Sequence, residues 1–514
     1  AALCVGVKNK PSAVKGLFWL WPKIRKKKIL KNDPADVDSE DTAHDKELQT
    51  DLTQEIELPK PPDSPGTNKT KLMEVPKNPI PGHGRNAASE YAGAKTVMVK
   101  HESLKAGDPC PEGCGGKLCS HLPGVVIRVT GNPIITATKY VIEKLRCALC
   151  SMLFTARLPA DAQKPKYDER AKAVVAFNKY HLGMPFHRIQ TSQKLMKVPL
   201  PDSTQWDLIH SLVPTVKPVF LAQGQLAAQG RQVHLDDTTV KILELIKENK
   251  AGTADGRTGM YTSGLLFVHE KHKIYLFRSG RKHAGENLDR ILEKRDAALS
   301  PIITMSDALS SNHTDAQTID CKCLVHGRRK FYEIHPFFPE ECAFVIDKLA
   351  VVYQQDALAR EKKMTDATRL THHQVYSAPV METLKTEIER KLEAKEAEPN
   401  GSLGKAYQYM LNHWYGLTQF LRIPGAPLDN NVIERALKIP IRNRKAALFY
   451  RTTNGADVGD MFMSLMVTCA EAGGNPVDYL VALQVHAEAV KSNPSAWLPW
   501  NYQDNCTEPI SKTA

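Results

Sequence analysis

At Gln232 the spacing of apolar residues changes from helical to strand-like, and this change restricts the fold more than any other feature of the sequence. Gln232 to Thr239, Thr262 to His269 and Lys273 to Arg278 alternate or run apolar as strands do, Asn287 to Leu299 has helical spacing, and Ile302 to Met305 reads as a buried strand. Three strands, a helix and a fourth strand define an α/β core. From Glu341 to Phe420 the period is helical throughout, through Ile346, Leu349 and Tyr353, then Leu384, Ile388 and Leu392, then Ala406, Met410 and Leu417. A helical block therefore interrupts the core. After Pro424-Gly-Ala-Pro the chain resumes with a short helix, Asn431 to Lys438, which Pro440 should end, and a longer one around Asp460 to Ala472.

Upstream, residues 165 to 228 look helical, with Ala171 to His181, His187 to Met196 and a third helix from Ser203. Two short helices joined by a tight turn fit either a helix-turn-helix or ordinary helical packing. Before them lie the short β-rich runs Val125 to Thr130 and Thr138 to Leu145. From Lys8 to Lys31 there are nine basic residues and no acid, and from Asp33 to Glu57 ten acids against one Lys. Such opposed blocks stay solvated, and a basic arm can also hold DNA phosphates. Pro59 to Arg85, with its Pro and Gly dipeptides, reads as a linker, so a folded region should begin near Tyr91.

Charge narrows the partners. Lys plus Arg number 69 against 57 Asp plus Glu, a formal +12, which favours polyanions and nucleic acid first. No apolar run has the 18 residues or more of a membrane span, so no membrane partner is expected. The lysines follow the short apolar run Gly16 to Trp21, the wrong order for a secretory signal. Eleven cysteines in 514 residues are too few for a disulfide framework and suit a reducing compartment.

Four of those cysteines form two knuckle-like pairs, Cys110-Pro-Glu-Gly-Cys114 and Cys147-Ala-Leu-Cys150. Two tight turns, each offering two thiolates, supply the tetrahedral soft donors that Zn²⁺ takes, and four protein thiolates leave no open position, so the metal is structural. Cys119 and His121 are nearby alternatives for one ligand.

The acids carry the chemistry. Asp236 lies inside the strand Val-His-Leu-Asp-Asp-Thr, Asp307 just past the strand Ile-Ile-Thr-Met, and Glu434 on the helix that returns after the helical block. Carboxylates at strand ends of an α/β sheet meet at its working edge. Three of them can hold two Mg²⁺ or Mn²⁺ ions for in-line phosphoryl transfer with no protein nucleophile. Each has an alternative: Asp237 in place of Asp236, helix capping by Asp307, and pairing of Glu434 with Lys438. In the order strand, strand, helix they fit a ribonuclease-H-like nucleotidyltransferase.

Pro81-Gly-His-Gly-Arg85 ahead of the cysteine pairs, Cys323-Leu-Val-His-Gly-Arg-Arg-Lys-Phe331, Asp429-Asn-Asn-Val-Ile-Glu434-Arg435, Arg442-Asn-Arg-Lys445 with Leu448-Phe449, and Gly474-Asn-Pro-Val-Asp-Tyr-Leu480 complete the pattern. From about Pro81 to Leu480 the chain resembles the insertion-sequence 66 family of bacterial transposases. The resemblance implies a DDE transposase, with Asp236, Asp307 and Glu434 as its catalytic acids and Mg²⁺ or Mn²⁺ ligands. Two strings depart from the family's usual Asp-Glu-Thr and Asp-Gly-Tyr: Asp236-Asp237-Thr238 and Asp307-Ala308-Leu309. The Leu-rich coiled coil with which members commonly begin is not seen in the first 60 residues.

His326, Arg328 and Arg329, and Arg435, Arg444 and Lys445, stand near the second and third acids and are candidate clamps for DNA phosphates. The expected architecture is multidomain α/β. It comprises a charged arm (1–60), a Pro-rich linker (61–95), a zinc ribbon with Cys110, Cys114, Cys147 and Cys150 (96–160) and a helical, helix-turn-helix-like DNA-binding region (161–228). A ribonuclease-H-like core (229–335 and 425–480) follows, split by the helical insertion (336–424) and ending in a C-terminal tail (481–514). The expected activity is metal-dependent cleavage and strand transfer of insertion-sequence ends. The alternatives are an inactive DNA-binding relative and a nuclease of the same fold. Expected partners are terminal inverted repeats and target DNA, further copies of the chain on DNA and small accessory proteins, in a bacterial cytoplasm at the nucleoid.

Overall fold

The computed structural model describes residues 103–109, 111, 114–118, 134–146, 153–157, 159–253 and 256–506. The charged arm, the linker and the run Val125 to Thr130 lie outside the described residues. In the cysteine module, Pro109 and Lys117 form an antiparallel bridge. Strands β1 (Lys144–Arg146) and β2 (Leu153–Thr155) pair antiparallel. In the sequence each pairing brackets one cysteine pair, of which Cys110, Cys147 and Cys150 lie outside the described residues. The strand expected from Thr138 shrinks to three residues. Tyr140, Val141 and Ile142 are exposed.

Helix α1 (Glu169–Ala176) starts at Asp168, whose carboxylate accepts the Ala171 N–H at 2.7 Å, and runs into a π turn at Phe177–His181. Helices α2 (Phe186–Leu195), α3 (Asp202–His210) and α4 (Val213–Ala228) follow. The last is no free-standing recognition element: Val216, Val219, Phe220 and Ala227 are buried, and the Gln223 amide donates to the Tyr275 carbonyl at 3.0 Å.

Strands β3 (Gln232–Thr239), β4 (Tyr261–His269), β5 (His272–Gly280), β6 (Ile302–Ser306) and β7 (Thr318–Lys322) form one five-stranded sheet in the order β5-β4-β3-β6-β7. The first three are antiparallel, and β3, β6 and β7 are parallel. Between β3 and β4 lies α5 (Leu243–Ala251). Between β5 and β6 lies α6 (Ala284–Leu292), which begins earlier than apolar spacing predicts. Asp237 accepts its first N–H, from Ala284, at 3.0 Å, and Glu286 accepts the His283 N–H at 3.1 Å, so capping and not hydrophobic period fixes that end. Neither β7 nor α5 shows in the periodicity.

The chain leaves the sheet into α7 (Leu324–Ile334), α8 (Pro339–Glu361), α9 (Asp366–Tyr376), α10 (Ala378–Glu393), α11 (Ser402–Asn412) and α12 (Trp414–Leu417). It returns beside its point of exit, for Leu324 N–H donates to Leu428 O at 3.0 Å. The helical block shares one apolar cluster with the sheet: Met305, Cys321, Leu324 and Phe331 pack with Leu349, Leu384, Tyr407 and Met410. It is therefore continuous with the core.

Helix α13 (Asn431–Ala447) does not stop at Pro440 but runs through it. Helix α14 (Thr453–Glu471) lies along β5. The expected tail is folded as far as Asn505, through α15 (Pro476–Val485), α16 (Ala487–Ser492) and two 3-10 turns that bury Trp497 and Tyr502. No helix among the described residues is long and apolar enough to cross a membrane.

Candidate active site

Side chains alternate along β3, so Asp236 and Asp237 face opposite sides of the sheet. Asp237 is fully occupied with structure: one oxygen accepts from Ser263 Oγ at 2.6 Å, the other from Ala284 N–H and His283 Nδ1 at 3.0 Å each. Asp236 faces the side covered by α13. It stands opposite Gly264 in the ladder, and a Cβ on Gly264 would come within 2.8 Å of Leu437 and 3.3 Å of Ile433. The missing side chain lets α13 close on the sheet, with Glu434 between those two apolar contacts in sequence.

Asp307 follows β6 directly. The parallel pairing of Gln232 with Ile303 and of His234 with Met305 extends to set Asp236 beside Asp307. The Asp307 carboxylate accepts from the Leu309 N–H at 3.1 Å and from the Asn312 amide, which fixes its orientation. Asp236 is only 9% exposed. Burial holds its carboxyl well above the usual carboxylate range, and the negative charges of Asp307 and then Glu434 raise it further. Asp236 thus lies within the field of both other carboxylates.

The third acid is held by a network that sequence reasoning missed. Asn430, wholly buried, donates its amide to Leu235 O at 2.9 Å and accepts from His234 Nδ1 at 3.1 Å. Gln232 donates to His234 Nε2 at 2.7 Å, so the ring carries its proton on Nδ1. Burial lowers the His234 pKa to about 4 and keeps the ring neutral. The backbone N–H of Asn430 donates to Cys323 Sγ at 3.3 Å. One residue thereby ties β3, the start of α7 and the start of α13 together. A buried Asn one turn ahead of the acid on the returning helix was the available signal.

Cys323, His326 and Glu434 offer a sulfur, a ring nitrogen and a carboxylate oxygen within 4.8 Å of one another, a group able to hold a cation. His326 Nδ1 lies 4.0 Å from Glu434 Oε1, and that oxygen is buried with no hydrogen-bond partner among the described residues. Burial pushes the Cys323 thiol up to about 12. A thiol so held suits its role as acceptor for Asn430 better than ligation of a hard divalent ion.

A family model described as "Transposase IS66 family" matches residues 165–458. The chain belongs to this family. Three proteins of Sinorhizobium fredii, each named only as uncharacterized, are similar to it. y4jD is 31% identical over 186 residues, 35% of this chain and 35% of its own. y4qI is 26% identical over 364 residues, 65% and 62%, and y4hP is 24% identical over 418 residues, 76% and 73%. The chain thus spans about a third of y4jD and just under two thirds of y4qI.

The basic residues of this IS66-family chain are dispersed. Arg328 lies over the Tyr332 ring on α7, and Arg435 and Lys445 are on the exposed side of α13. Arg329 is half-buried on α7. Arg444 donates to Thr239 O at 2.7 Å and to its hydroxyl, which ties the end of α13 to the end of β3. His326 stands at Glu434 and not on an outer surface.

Proposed function

We propose that the chain cuts DNA at the ends of an insertion sequence and joins them to target DNA, with Asp236, Asp307 and Glu434 as the DDE acids. The observation that carries this is the burial of Asp236 in the field of the two other carboxylates. A carboxylate so placed is poorly stable as a bare anion and calls for a cation or a proton. The donor set fits hard divalent ions, since carboxylate oxygens suit Mg²⁺ or Mn²⁺ and Glu434 Oε1 has no competing hydrogen bond among the described residues. Two bound ions would activate a water or a DNA 3′-hydroxyl and stabilise the leaving oxygen.

The chain's own residues hold that arrangement. Asp307 is oriented by Leu309 N–H and Asn312, and Asn430 fixes α13 relative to β3. The strand order, three antiparallel strands followed by two parallel ones, supports the ribonuclease-H-like reading of residues 229–335 and 425–480. The two antiparallel pairings that bracket the cysteine pairs in the sequence support a zinc ribbon held by Cys110, Cys114, Cys147 and Cys150. Helices α2 and α3 are the candidate helix-turn-helix. Arg328, Arg329, Arg435 and Lys445 are proposed to meet DNA phosphates, His326 to steady Glu434, and Arg444 to brace β3.

An end-cleavage assay run beside a binding titration tests this reading. Replacing Asp236, Asp307 or Glu434 by Ala should lower cleavage by at least about 10²-fold, the scale of one lost electrostatic contact to a transition state, with DNA affinity nearly unchanged. Wild-type cleavage in the Glu434→Ala variant would remove it from the site. Cleavage unchanged in all three would leave a DNA-binding protein.

A further inference from the structure

Past Glu434, α13 carries a stripe of cations that the DDE reading uses only in part. Arg435, Lys438, Arg442 and Lys445 are all exposed. They follow one another at helical spacing and lie to one side of Glu434, within about 100° of it round the helix. Glu434 is the only acid between Asn431 and Ala447. Arg442 is held on the surface by donating to His181 O at 2.7 Å. The stripe therefore starts beside the acids and runs to the end of β3, where Arg444 ties the helix to Thr239.

At that end stands a strained turn. Leu448 has φ 70° and ψ −39°, and the Phe449 N–H donates to Ala447 O at 2.9 Å, a three-residue turn that bulky residues rarely make. Both its flanks are fixed. Leu448 N–H donates to Arg444 O at 2.7 Å, Tyr450 N–H donates to Lys241 O at 2.8 Å, and Tyr450 packs against the cluster of Val240, Ile242, Leu245 and Ala456. The turn does not serve packing of its own side chains, since Leu448 is 63% and Phe449 47% exposed. Two large apolar side chains thus stand side by side on an anchored turn, with exposed Lys445 before them and exposed Arg451 after them. Strain that the surroundings hold in place, and that serves no internal contact, is the kind found at working surfaces.

We propose that Leu448 and Phe449 form a wedge that enters the DNA at one base step, while the cation stripe holds the backbone between that step and the phosphate at the acids. The charges favour DNA over an apolar protein partner, because Lys445 and Arg451 bracket the pair as phosphates bracket an opened step. Leu and Phe are among the side chains that insert in this way, which part-unstacks the step and bends the duplex. The helix also sets the spacing. From Glu434 to Leu448 is 448 − 434 = 14 residues, about 21 Å at ~1.5 Å per residue, or about six base pairs at ~3.4 Å each. Pyrimidine–purine steps open most readily, so a thymine–adenine or cytosine–adenine step at that distance suits the wedge best. The inference rests on the DNA-cutting reading above and adds to it where the DNA is distorted.

The test uses the full chain and blunt duplexes that end at the element's terminus. In each, one mismatched pair bearing the fluorescent base 2-aminopurine is placed a position further in. A mismatch lowers the cost of opening a step, so the wild type should bind best, by about tenfold, where the mismatch lies about six pairs from the end, and the probe should brighten there. Leu448→Gly with Phe449→Ser should bring that preference near one. Affinity for the fully paired duplex should stay nearly unchanged, because the cations supply most of it. The double variant should melt close to the wild type, since both side chains are exposed and glycine takes the positive φ freely. Phe449→Ser alone, which leaves the turn as it is, should lower the preference as well. Lys438→Ala should weaken binding to every duplex alike and reduce the slope of log affinity against log salt by about 0.9. A preference spread evenly over the positions, or one kept by the double variant, overturns the wedge and leaves the DNA-cutting reading intact. A kept preference with a smaller oligomer on sedimentation would give the apolar pair to a second copy of the chain instead. No affinity of the wild type for any duplex would overturn both.

Discussion

At the scale of the residue, the sequence could place acids on strands but not say which way they face. Asp236 and Asp237 are equivalent in composition and adjacent in the chain, and only the partners on each side of the sheet separate them. One caps α6, while the other lies under α13. His326 shows the same limit, since a basic-looking string gives no sign that its imidazole turns inward to Glu434. Gly264 is the residue on which this geometry depends most. Gly264→Ala should cost about 1–3 kcal/mol through overpacking against Leu437. Leu437→Ala alone should cost about 2–5 kcal/mol. Together they should cost less than their sum, because the smaller side chain makes room for the new methyl. A double-mutant cycle by urea unfolding measures this, and strict additivity would mean that α13 does not press on β4 there.

At the scale of the element, strands were the more legible class. β3 was read from Gln232 to Thr239 as it stands, because its residues leave the helical spacing of the segment before it. α13 was cut short at Pro440, although its flanks Leu437 and Ile441 are buried. Tertiary packing along the whole helix outweighs one missing hydrogen bond. β7 and α7 went unread because Thr-Ile-Asp-Cys-Lys and a run of basic residues around Gly327 carry little period. α14 shows what no periodicity reveals. Its Asp460, Ser464 and Thr468, each four residues apart, accept the outward N–H groups of Ser279, Phe277 and Tyr275 and so close the edge of the sheet. Burial raises the Asp460 carboxyl to about 7, against the help of Ser279 and Arg278. An acid with a raised folded pKa binds more protons folded than unfolded between about pH 4 and 7, so its contribution to stability falls as pH rises through that window and is level above it. Asp460→Asn can keep both contacts to Ser279, with its oxygen accepting the N–H and its amide donating to the hydroxyl. The variant should gain on the wild type as pH rises from 5 to about 7 in urea melts. A constant difference between the two across that range would show that Asp460 does not titrate there.

At the scale of the whole molecule, zinc and the insertion ask how independent the parts are. If the cysteine module is a zinc ribbon, elemental analysis should find about one zinc per chain, lost in a Cys147→Ser and Cys150→Ser double variant. Well-folded protein without zinc would end that reading. The helical block was legible as an interruption of the α/β core, and its ends do lie together at Leu324 and Leu428. Period alone could not show that it shares a hydrophobic cluster with β6 and β7. In that cluster Leu349, on α8, is wholly buried together with Met305 and Cys321 of the sheet. A cavity made at Leu349 should therefore loosen the strand that leads into Asp307 as well as the helices around it. Leu349→Ala should cost about 2–5 kcal/mol, and hydrogen exchange should speed up in β6 and β7 together with α8 and α11. Faster exchange confined to the helices would make the insertion a separately folding unit. It would then give no physical route by which the insertion supports the position of the second acid.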